Sequence, residues 1–341
     1  MGADLTPPID RERARRVLEL EGVELWEALA VGARARERRH GRSVNLCWIV
    51  NAKSGGCDQD CAFCSQSSRN AARIRAYPLL DPDEIARAAR EAARAGAVRF
   101  SLVTSGRAVR PGRELDAICA ALERVAAETG LYLCASLGVV EPPVLAALAD
   151  AGLARYHHNL ETAESFWPSI CSTRPYEASR RVLRDAVRLG LETCSGGIVG
   201  LGESLDQRVE LLAELAALEV DSLALNFHVP VPGTPLGHLD GPAPLDCLRF
   251  ALAARLMMPG RDVRVCGGRE RDLRELAPLA LVGAVSGLMV GGYLTTPGRP
   301  AADDLALIRD LGLEPDTIPE GRDTLVRSEE RRVGKECATG C

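Results

Sequence analysis

The chain has 341 residues, of which 46% are hydrophobic and 26% charged, and its formal net charge is −5. That length suits one large barrel domain or two ordinary ones in a soluble globular protein. The net negative charge argues against a broad basic surface for nucleic acid, and no apolar run is long enough to span a bilayer. The charged N-terminus lacks the apolar segment of a signal peptide. We therefore expect a cytoplasmic protein, without nucleic-acid or membrane partners, whose 12 cysteines stay reduced unless they bind metal.

Residues 1–40 predict a helical extension, because Leu18, Leu25 and Leu29 lie on one apolar stripe of a helix over 9–37. From residue 45 onward, β-like runs alternate with helical patterns. The predicted strands are 45–51, 98–104, 131–136, 154–160, 192–198, 221–227, 262–266 and 287–291. The predicted helices are 82–96, 113–129, 141–151, 175–190, 204–218, 243–257, 270–283 and 302–312. Eight such units favour an α/β fold, a (β/α)8 barrel of the TIM type over residues 41–316, with a doubly wound open sheet as the alternative.

Two further sequence patterns give little indication of function. The lone Gly200-Leu201-Gly202 is too weak a signal to predict a dinucleotide site. Residues 317–341 are dense in charge with little apolar periodicity, and they predict a disordered tail. Cys337 and Cys341 in that tail have no apolar core around them, so we do not expect them to bind a functional metal.

Three cysteines, Cys57, Cys61 and Cys64, stand at a C-x3-C-x2-C spacing shortly after the apolar run 46–50. Iron–sulfur clusters take thiolates from short runs of this kind, and three ligands leave one iron of a four-iron cluster open. A structural zinc site would want a fourth Cys or His at matching spacing, and the nearest downstream histidine, His157, is remote in sequence. Disulfides would need an oxidising compartment. The spacing therefore indicates an open four-iron cluster.

One of only two lysines, Lys53, precedes this motif, whereas all other basic residues but Lys335 are arginine. A compact ammonium in this loop makes Lys53 a candidate substrate-binding residue. The alternative is that Lys53 has no function and is a lysine retained by chance on a surface loop.

Each odd-numbered predicted strand carries one cysteine: Cys47, Cys134, Cys194 and Cys266. Alternate strands of a barrel fill one interior layer, so four converging thiols would suit a second iron–sulfur cluster. Arg264 shares the face of Cys266, two residues away. The alternative is that the four thiols pack as small apolar groups. We give that interpretation to three further cysteines: Cys119, Cys171 and Cys247.

Polar side chains stand where an apolar core would be expected. Alternation puts His157, Asn159 and Glu161 on one side of the fourth strand. Asn226 and His228 share a side of the sixth strand. Each alone is as consistent with a structural polar group, but together, near the carboxyl ends of barrel strands, they predict a pocket for amide, ureido or ribose groups.

At these residues the chain resembles the biotin synthase family of radical S-adenosylmethionine (SAM) enzymes. The resemblance runs from about Asn45 to Glu314. Six sequence blocks carry it, at 52–64, 156–162, 194–203, 226–235, 263–269 and 294–297. The cysteine triad is generic to radical SAM enzymes, whereas the blocks at 194–203 and 294–297 are far more specific.

The resemblance implies SAM-dependent insertion of sulfur between C6 and C9 of dethiobiotin. In such enzymes the open iron of the [4Fe–4S] cluster chelates SAM, and an electron from the cluster releases a 5′-deoxyadenosyl radical. Matched by position, Cys57, Cys61 and Cys64 would hold this cluster. The implied partners are dethiobiotin, a flavodoxin- or ferredoxin-type electron donor, and a second copy of the chain in a homodimer.

The resemblance also implies binding roles for polar residues. Asn159 and Glu161 would contact the SAM ribose and the substrate, and Asn226 the ureido ring. Thr295 and Thr296 would bind the valerate carboxylate. A serine, Ser179, replaces an arginine expected to meet the SAM carboxylate, and Arg180 is the candidate substitute.

The auxiliary cluster departs from the common pattern of the family. Cys134, Cys194 and Arg264 match three of the four ligands of its [2Fe–2S] sulfur donor, but Ser101 stands in place of the fourth. Conversely, Cys47 and Cys266 stand where that pattern has serine. We therefore expect an auxiliary cluster of either the [2Fe–2S] type or a larger, four-iron type held by the four odd-strand cysteines, with Arg264 beside it.

Two other functions remain alternatives at this point. One is a related radical SAM maturase or mutase, of the hydrogenase-maturation or methylornithine-synthase type, which does not need four inward cysteines. The other is a non-catalytic iron–sulfur electron carrier, against which the polar pocket and the open cysteine triad argue.

Overall fold

A computed structural model describes residues 5–318. The N-terminal extension comprises two helices, α1 (Arg11–Val17) and α2 (Gly22–His40), rather than the single helix predicted over 9–37. Asp10 caps α1 by accepting a hydrogen bond from the Arg13 amide, and the chain turns before α2 at Gly22, whose φ is +52°. Gly32 lets α2 approach the barrel closely, since a Cβ there would lie 2.3 Å from the Gly283 carbonyl oxygen.

Eight parallel strands close into a barrel, because β1 pairs with both β2 and β8. This confirms the (β/α)8 fold. The strands are β1 (Ser43–Lys53), β2 (Arg99–Thr104), β3 (Tyr132–Ser136), β4 (Arg155–His157), β5 (Glu192–Val199), β6 (Ser222–Phe227), β7 (Asp262–Val265) and β8 (Gly287–Val290). Strand β4 is shorter than its predicted range of 154–160, although the amides of His158 and Leu160 still donate to the carbonyls of Cys194 and Gly196 on β5. The chain then turns at Glu161, whose φ is +71°.

Helices cover the outside of the barrel. They are α3 (Pro82–Arg94), α4 (Arg113–Thr129), α5 (Pro142–Asp150), α6 (Tyr176–Arg188), α7 (Leu205–Ala217), α8 (Pro244–Met257), α9 (Arg269–Asp272), α10 (Ala277–Gly283) and α11 (Ala301–Asp310). The single helix predicted over 270–283 is wrong, since Arg274 has a φ of +48° and a 3₁₀ turn separates α9 from α10. Sequence-coded caps fix other starts, such as the capping box of Ser204 and Gln207 on α7.

The strands separate two environments. On β6, Leu223 and Leu225 belong to the large apolar core, whereas Ala224 between them packs with Cys194 and Cys266. This alternation is that of a barrel wall, with an apolar outer layer against helices and a different interior. No helix within residues 5–318 has the length and apolar character needed to cross a membrane.

A short additional strand, β9 (Glu314–Pro315), pairs with β1 where the barrel strands begin. Just after it, Asp316 accepts hydrogen bonds from Ser43 and, at 3.1 Å, from Asn45 Nδ2. Asn45 in turn accepts from Arg264 Nη2 at 3.1 Å. The end of the described chain therefore contacts the lower end of the barrel interior. The predicted division into extension, barrel and tail stays a prediction, and Cys337 and Cys341 lie outside the described residues.

Candidate active site

The cluster loop, residues 54–68, follows β1 at the mouth of the barrel, where the strands end. Its backbone is fixed by its own hydrogen bonds. The Cys57 amide donates to the Gln66 carbonyl at 3.1 Å, and the Ser68 amide donates to the Cys57 carbonyl at 2.7 Å. Asn70 Nδ2 donates to the carbonyls of Cys61 and Cys64, at 3.1 and 2.7 Å. The three thiols are thus carried by one closed frame.

The cluster-loop thiols are suited to metal binding by their donor type. Burial raises the pKa of Cys64 to about 11, and a hydrogen bond with Cys171 together with burial raises the pKa of Cys61. Such thiols keep their protons at neutral pH unless a cation replaces them. Among residues 5–318, no three Cys, His, Asp or Glu side chains converge tightly enough for a single metal ion. The donor set of three thiols fits a four-iron cluster with one open iron.

An amide and a carboxylate face the mouth after β4. Asn159 Nδ2 donates to Glu161 Oε2 at 3.2 Å, while Asn159 Oδ1 is buried without a hydrogen-bond partner among the described residues. Burial raises the pKa of Glu161. An unused buried acceptor beside a carboxylate is what a hydroxyl- or amide-bearing ligand would satisfy.

The backbone at Glu161 is strained and held in place. Its φ of +71° is unusual for a residue with a side chain and costs on the order of 1 kcal/mol. Its carbonyl accepts from the Ile198 amide at 2.7 Å. A Cβ at Gly197 would lie 2.5 Å from that carbonyl oxygen, so the glycine allows the close contact. Strain of this kind persists where the surroundings impose it, often at functional sites.

Asn226 lies at the end of β6 and connects three strands. Its Oδ1 accepts from the Gly267 amide at 3.0 Å, and its Nδ2 is 3.3–3.4 Å from the carbonyls of Ala224 and Gly197. The contacts to the two carbonyls are long, and Asn226 is only partly buried. The predicted role in binding a ureido ring stays a prediction.

The substrate loop, residues 291–300, carries Thr295 and Thr296 after β8. Thr295 Oγ1 lies 3.0 Å from Ser65 Oγ, next to Cys64 in the cluster loop. Asn51 Nδ2 donates to the Leu294 carbonyl at 2.8 Å, which ties the substrate loop to the end of β1. The structure therefore brings Thr295 against the cluster loop, while the carbonyl of Thr296 accepts from the Tyr293 amide within the substrate loop.

An acidic side chain on α9 anchors the other side of the substrate loop. Glu270 accepts from Tyr293 Oη, 2.8 Å from each carboxylate oxygen, and from the Arg299 amide at 3.2 Å. Arg269, the residue before it, forms a buried two-point ion pair with Asp304 on α11, at 3.0 and 2.6 Å. The loop is thus held from both sides of the mouth. Sequence reasoning missed Glu270 and Tyr293, since their pairing depends on tertiary structure.

Two predicted basic residues have protein partners. Lys53 Nζ lies 2.7 Å from Glu114 Oε1 at the end of β1. Arg180 is fully engaged: its Nε contacts Glu214 at 2.6 Å, and Nη1 and Nη2 contact Glu164 at 3.0 and 2.8 Å. The structure does not leave Arg180 a free donor for a ligand carboxylate.

A different arginine reaches the mouth. Arg174 Nη1 lies 3.0 Å from His158 Nε2, and its charge acts on both Glu161 and Cys61. Its Nε is buried without a hydrogen-bond partner in the described structure. Arg174 was missed because it stands in a loop whose position the sequence pattern does not give.

Four thiols lie lower in the barrel, one on or just after each odd strand, as predicted: Cys47, Cys134, Cys194 and Cys266. All are buried, and Cys194 packs with Cys266. Cys47 also acts electrostatically on the pKa values of Cys134 and Cys266, in keeping with four thiols that face one barrel interior. Ser101 is in register with Cys134 on the neighbouring strand. We call these four thiols, with the three arginines described next, the floor.

Three arginines line the floor. Register places Arg99 beside Cys47 and Arg155 beside Cys134, and Arg264 interacts with Cys47 and Cys194. Arg155 and Arg99 were missed in the sequence analysis. Each stands two residues before one that was identified there, Arg155 before His157 and Arg99 before Ser101. Strand alternation extended by one step would have found both.

The arginines of the floor are only partly neutralised. Arg155 Nη2 is 2.7 Å from Glu192 and 3.7 Å from Asp262. The Nε atoms of Arg99 and Arg264 and the Nη1 of Arg155 are buried without hydrogen-bond partners in the described chain. Unpaired donors on buried cations are costly, so this chamber is suited to hold an anionic group.

The charge of the floor acts most strongly on Cys194. Burial alone would raise its pKa, but His157, in register on β4, and Arg264 lower it to about 6. A thiol that ionises near neutral pH is a ready metal ligand. By contrast, burial raises the pKa of Cys134 to about 11.

Comparison with known proteins decides among the alternatives. A family model described as the radical SAM superfamily matches residues 52–215, and one described as the biotin and thiamin synthesis associated domain matches residues 224–314. A biotin synthase of Geobacter sulfurreducens is 47% identical over 305 residues, which cover 89% of this chain and 93% of that protein. The chain belongs to the biotin synthase family. It is therefore a radical SAM enzyme, and the carrier and maturase alternatives are not favoured.

Further members of the biotin synthase family match equally well. That of Pelobacter propionicus is 46% identical over 89% of this chain and 92% of the relative, and one of Nitratidesulfovibrio vulgaris is 45% identical over 89% and 86%. Membership implies a [4Fe–4S] cluster and SAM as cofactors.

Solved structures with low sequence identity share the fold. Methylornithine synthase superposes with a TM-score of 0.80 at 18% identity, covering 91% of this chain and 94% of that one. The FeFe-hydrogenase maturase of Carboxydothermus hydrogenoformans gives 0.79 at 14% identity, covering 93% and 78%. At such identities the likeness shows the barrel alone.

Proposed function

We propose that this enzyme inserts sulfur into dethiobiotin to form biotin, with SAM and substrate bound at the mouth and the sulfur supplied from the floor. The observation that carries the proposal is the presence of two thiol sets along one barrel axis. One set is on a loop at the mouth, and the other is on strands below it.

At the mouth, Cys57, Cys61 and Cys64 hold the [4Fe–4S] cluster. When bound, this cluster supplies the electron that breaks the sulfonium bond of SAM. Glu161 accepts hydrogen bonds from ribose hydroxyls, and Asn159 offers its unused Oδ1 to ligand donors. The cluster loop and the substrate loop are joined beside these groups by the contact of Ser65 with Thr295.

Substrate binding uses the other side of the mouth. The Thr295 and Thr296 hydroxyls bind the valerate carboxylate, and Asn226 presents its amide to the ureido ring, exchanging its long carbonyl contacts for shorter ones. Lys53 supplies positive charge at the end of β1, shared with Glu114.

The SAM carboxylate is bound by Arg174 in this proposal, in place of Arg180. Arg174 has a buried, unpaired Nε and acts electrostatically on Cys61, whereas every nitrogen of the Arg180 guanidinium faces a carboxylate. Charged donors without partners are the groups that an anionic ligand satisfies.

The floor holds the auxiliary cluster, of the four-iron type. Four buried thiols share one chamber, and Ser101 cannot supply the thiolate that the [2Fe–2S] pattern needs. The residues fit an anionic cluster, because unpaired guanidinium donors of Arg99, Arg155 and Arg264 surround the thiols. Arg264 neutralises charge there, by ligation or by hydrogen bonds that tune the potential.

Turnover by the reconstituted protein tests the function. Anaerobically reconstituted enzyme with SAM, a low-potential reductant and dethiobiotin should form 5′-deoxyadenosine and biotin. Formation of 5′-deoxyadenosine without biotin, under conditions in which a known biotin synthase makes both, would contradict the assignment of substrate.

Mössbauer spectroscopy with iron counting tests the floor. The variant with Cys57, Cys61 and Cys64 all changed to Ala should retain a four-iron signal, and adding Cys266→Ala should remove it. A [2Fe–2S] signal that persists when Cys47 or Cys266 is replaced would instead indicate the [2Fe–2S] cluster that is common in the family.

A flavodoxin- or ferredoxin-type electron donor, a homodimer and a cytoplasmic location belong to the same proposal. They follow from the family resemblance and from composition rather than from the geometry of the site.

A further inference from the structure

Cys171 contacts the cluster loop although the sequence suggested only an apolar filler. It is buried and follows a 3₁₀ turn (Trp167–Ser169) after β4. The Ala62 amide donates to the Ile170 carbonyl at 2.9 Å, and the Asp60 carboxylate accepts from the Ser172 amide at 3.0 Å. Segments 60–62 and 170–172 therefore run side by side in opposite directions, which places Cys61 opposite Cys171.

The same two segments are held together on both sides of the thiols. Asp60 accepts from the amide and the hydroxyl of Thr173, at 3.2 and 2.8 Å, and the Asp60 amide donates to the Thr173 hydroxyl at 3.1 Å. None of these bonds involves a thiol, so they hold position 171 next to position 61 independently of the two sulfurs.

The two thiols are close enough for each to shift the pKa of the other. Their other sulfur contacts are long: Cys61 Sγ is 3.8 Å from Gln59 Oε1, and Cys171 Sγ is 3.5 Å from Thr173 Oγ1. Opposed residues on antiparallel segments have Cβ atoms about 4.5–5.5 Å apart, and a disulfide needs about 3.5–4.5 Å. A backbone shift of about 1 Å, together with rotation of the two side chains, would therefore let these sulfurs bond.

We propose that Cys61 and Cys171 form a reversible disulfide when the cluster loop has lost its iron. Two thiols are oxidised to one disulfide by a peroxide, with hydrogen peroxide reduced to two waters, and a dithiol reductant restores both thiols. With iron bound, Cys61 is occupied as a ligand and the reaction does not occur. Cys171 thus acts as a resolving thiol that prevents irreversible oxidation of Cys61. The proposal rests on the ligand role of Cys61 in the proposed function and not on the identity of the substrate.

Peptide mapping of the full-length protein tests this. Protein stripped of iron by a chelator under anaerobic conditions is treated with hydrogen peroxide and digested without reduction. The expected main product is a peptide linking Cys61 to Cys171. After dithiol reduction and addition of iron and sulfide, the wild type should regain its cluster absorbance, whereas Cys171→Ser should regain several-fold less because Cys61 is over-oxidised.

Cys119→Ser is the matched control, since Cys119 is a partly buried helix thiol whose sulfur lies against the Ala147 carbonyl. It should behave as the wild type. Thermal unfolding and cluster content of untreated Cys171→Ser separate a folding defect from the proposed role, and Cys171→Ala should reproduce the loss. A main product that links Cys57 to Cys64, or equal recovery in wild type and Cys171→Ser, would overturn the proposal. Failure to make biotin in untreated protein would concern the proposed function alone.

Discussion

The mouth and the floor of this barrel both present thiols, but they position them differently. At the mouth, the frame of the cysteines is made by hydrogen bonds among residues close in sequence, such as those from Asn70 to Cys61 and Cys64. At the floor, each cysteine is on a different strand and meets the others only through barrel register. The mouth therefore combines local hydrogen bonds with distant ones to residues 170–173, whereas the floor depends entirely on the completed fold.

The electrostatic surroundings differ in the same way. The floor holds three arginines against Glu192 and Asp262, with guanidinium donors left unpaired in the described structure. The mouth instead presents uncharged donors and acceptors together with Glu161 and Arg174. A floor built this way is suited to an anionic group, whereas the mouth offers both polar and charged partners to a ligand.

The largest expected effect separates the two thiol sets. Cys61→Ala should abolish formation of 5′-deoxyadenosine, because a four-iron cluster with two protein ligands does not persist. Cys266→Ala should abolish biotin formation and leave SAM cleavage measurable, because it changes only the floor. Chromatographic assay of both products checks the prediction, and SAM cleavage in Cys61→Ala at the wild-type rate would contradict it.

A second prediction concerns the stability of the floor. Arg155→Met removes the closest charged partner of the partly buried Glu192, which keeps Arg99 at 3.6 Å, and should lower the free energy of unfolding by about 1.5–3 kcal/mol. Arg188→Met, which breaks an ion pair of a mainly exposed arginine with Asp185, should cost about 0–1 kcal/mol. Chemical denaturation of the iron-free proteins measures both. Equal losses in the two variants would mean that the ion pair in the floor contributes no more to stability than an exposed ion pair.

A third prediction concerns how the stability of the protein depends on pH, through a histidine near Asp262. Burial lowers the pKa of His40, which lies 3.7 Å from Asp262, from 6.5 to about 4. Its folded pKa is below its unfolded value, so its contribution to stability is complete above pH 6.5 and is lost as pH falls toward 4. Between pH 7 and 5 this contribution should fall by about 2 kcal/mol. His40→Gln should flatten that part of the stability profile, and an unchanged slope would refute the assignment.

The smallest expected effect tests the anchor of the substrate loop. Tyr293→Phe removes the hydrogen bond to Glu270 and should weaken dethiobiotin binding by about 0.5–1.5 kcal/mol, or roughly 2- to 12-fold. Calorimetric titration with dethiobiotin measures the change, with SAM affinity and the cluster spectrum as internal controls. An equal loss of SAM affinity would place the effect in the mouth as a whole.

The same contrast explains what the sequence could predict. Strand alternation and cysteine spacing gave the barrel and both thiol sets, because each depends on short-range periodicity. The break between α9 and α10 was missed because Arg274 adopts a positive φ that its residue type does not indicate. Arg174, Glu270 and Cys171 were missed for another reason. Each becomes meaningful only through a contact with a residue distant in sequence.

The pairing of β1 with β8 has a consequence for the order in which the protein is made. Asn45 and Cys47 on β1 are among the first barrel residues to leave the ribosome, but their partners Gly287 and Met289 are among the last. Contacts this distant in sequence form late in folding. The Cys47 thiol therefore stays open to solvent until the eighth strand arrives and the contact of Asn45 with Asp316 follows. The four cysteines of the floor can therefore meet only once the eighth strand has been made, whereas Cys57, Cys61 and Cys64 lie within eight residues of one another.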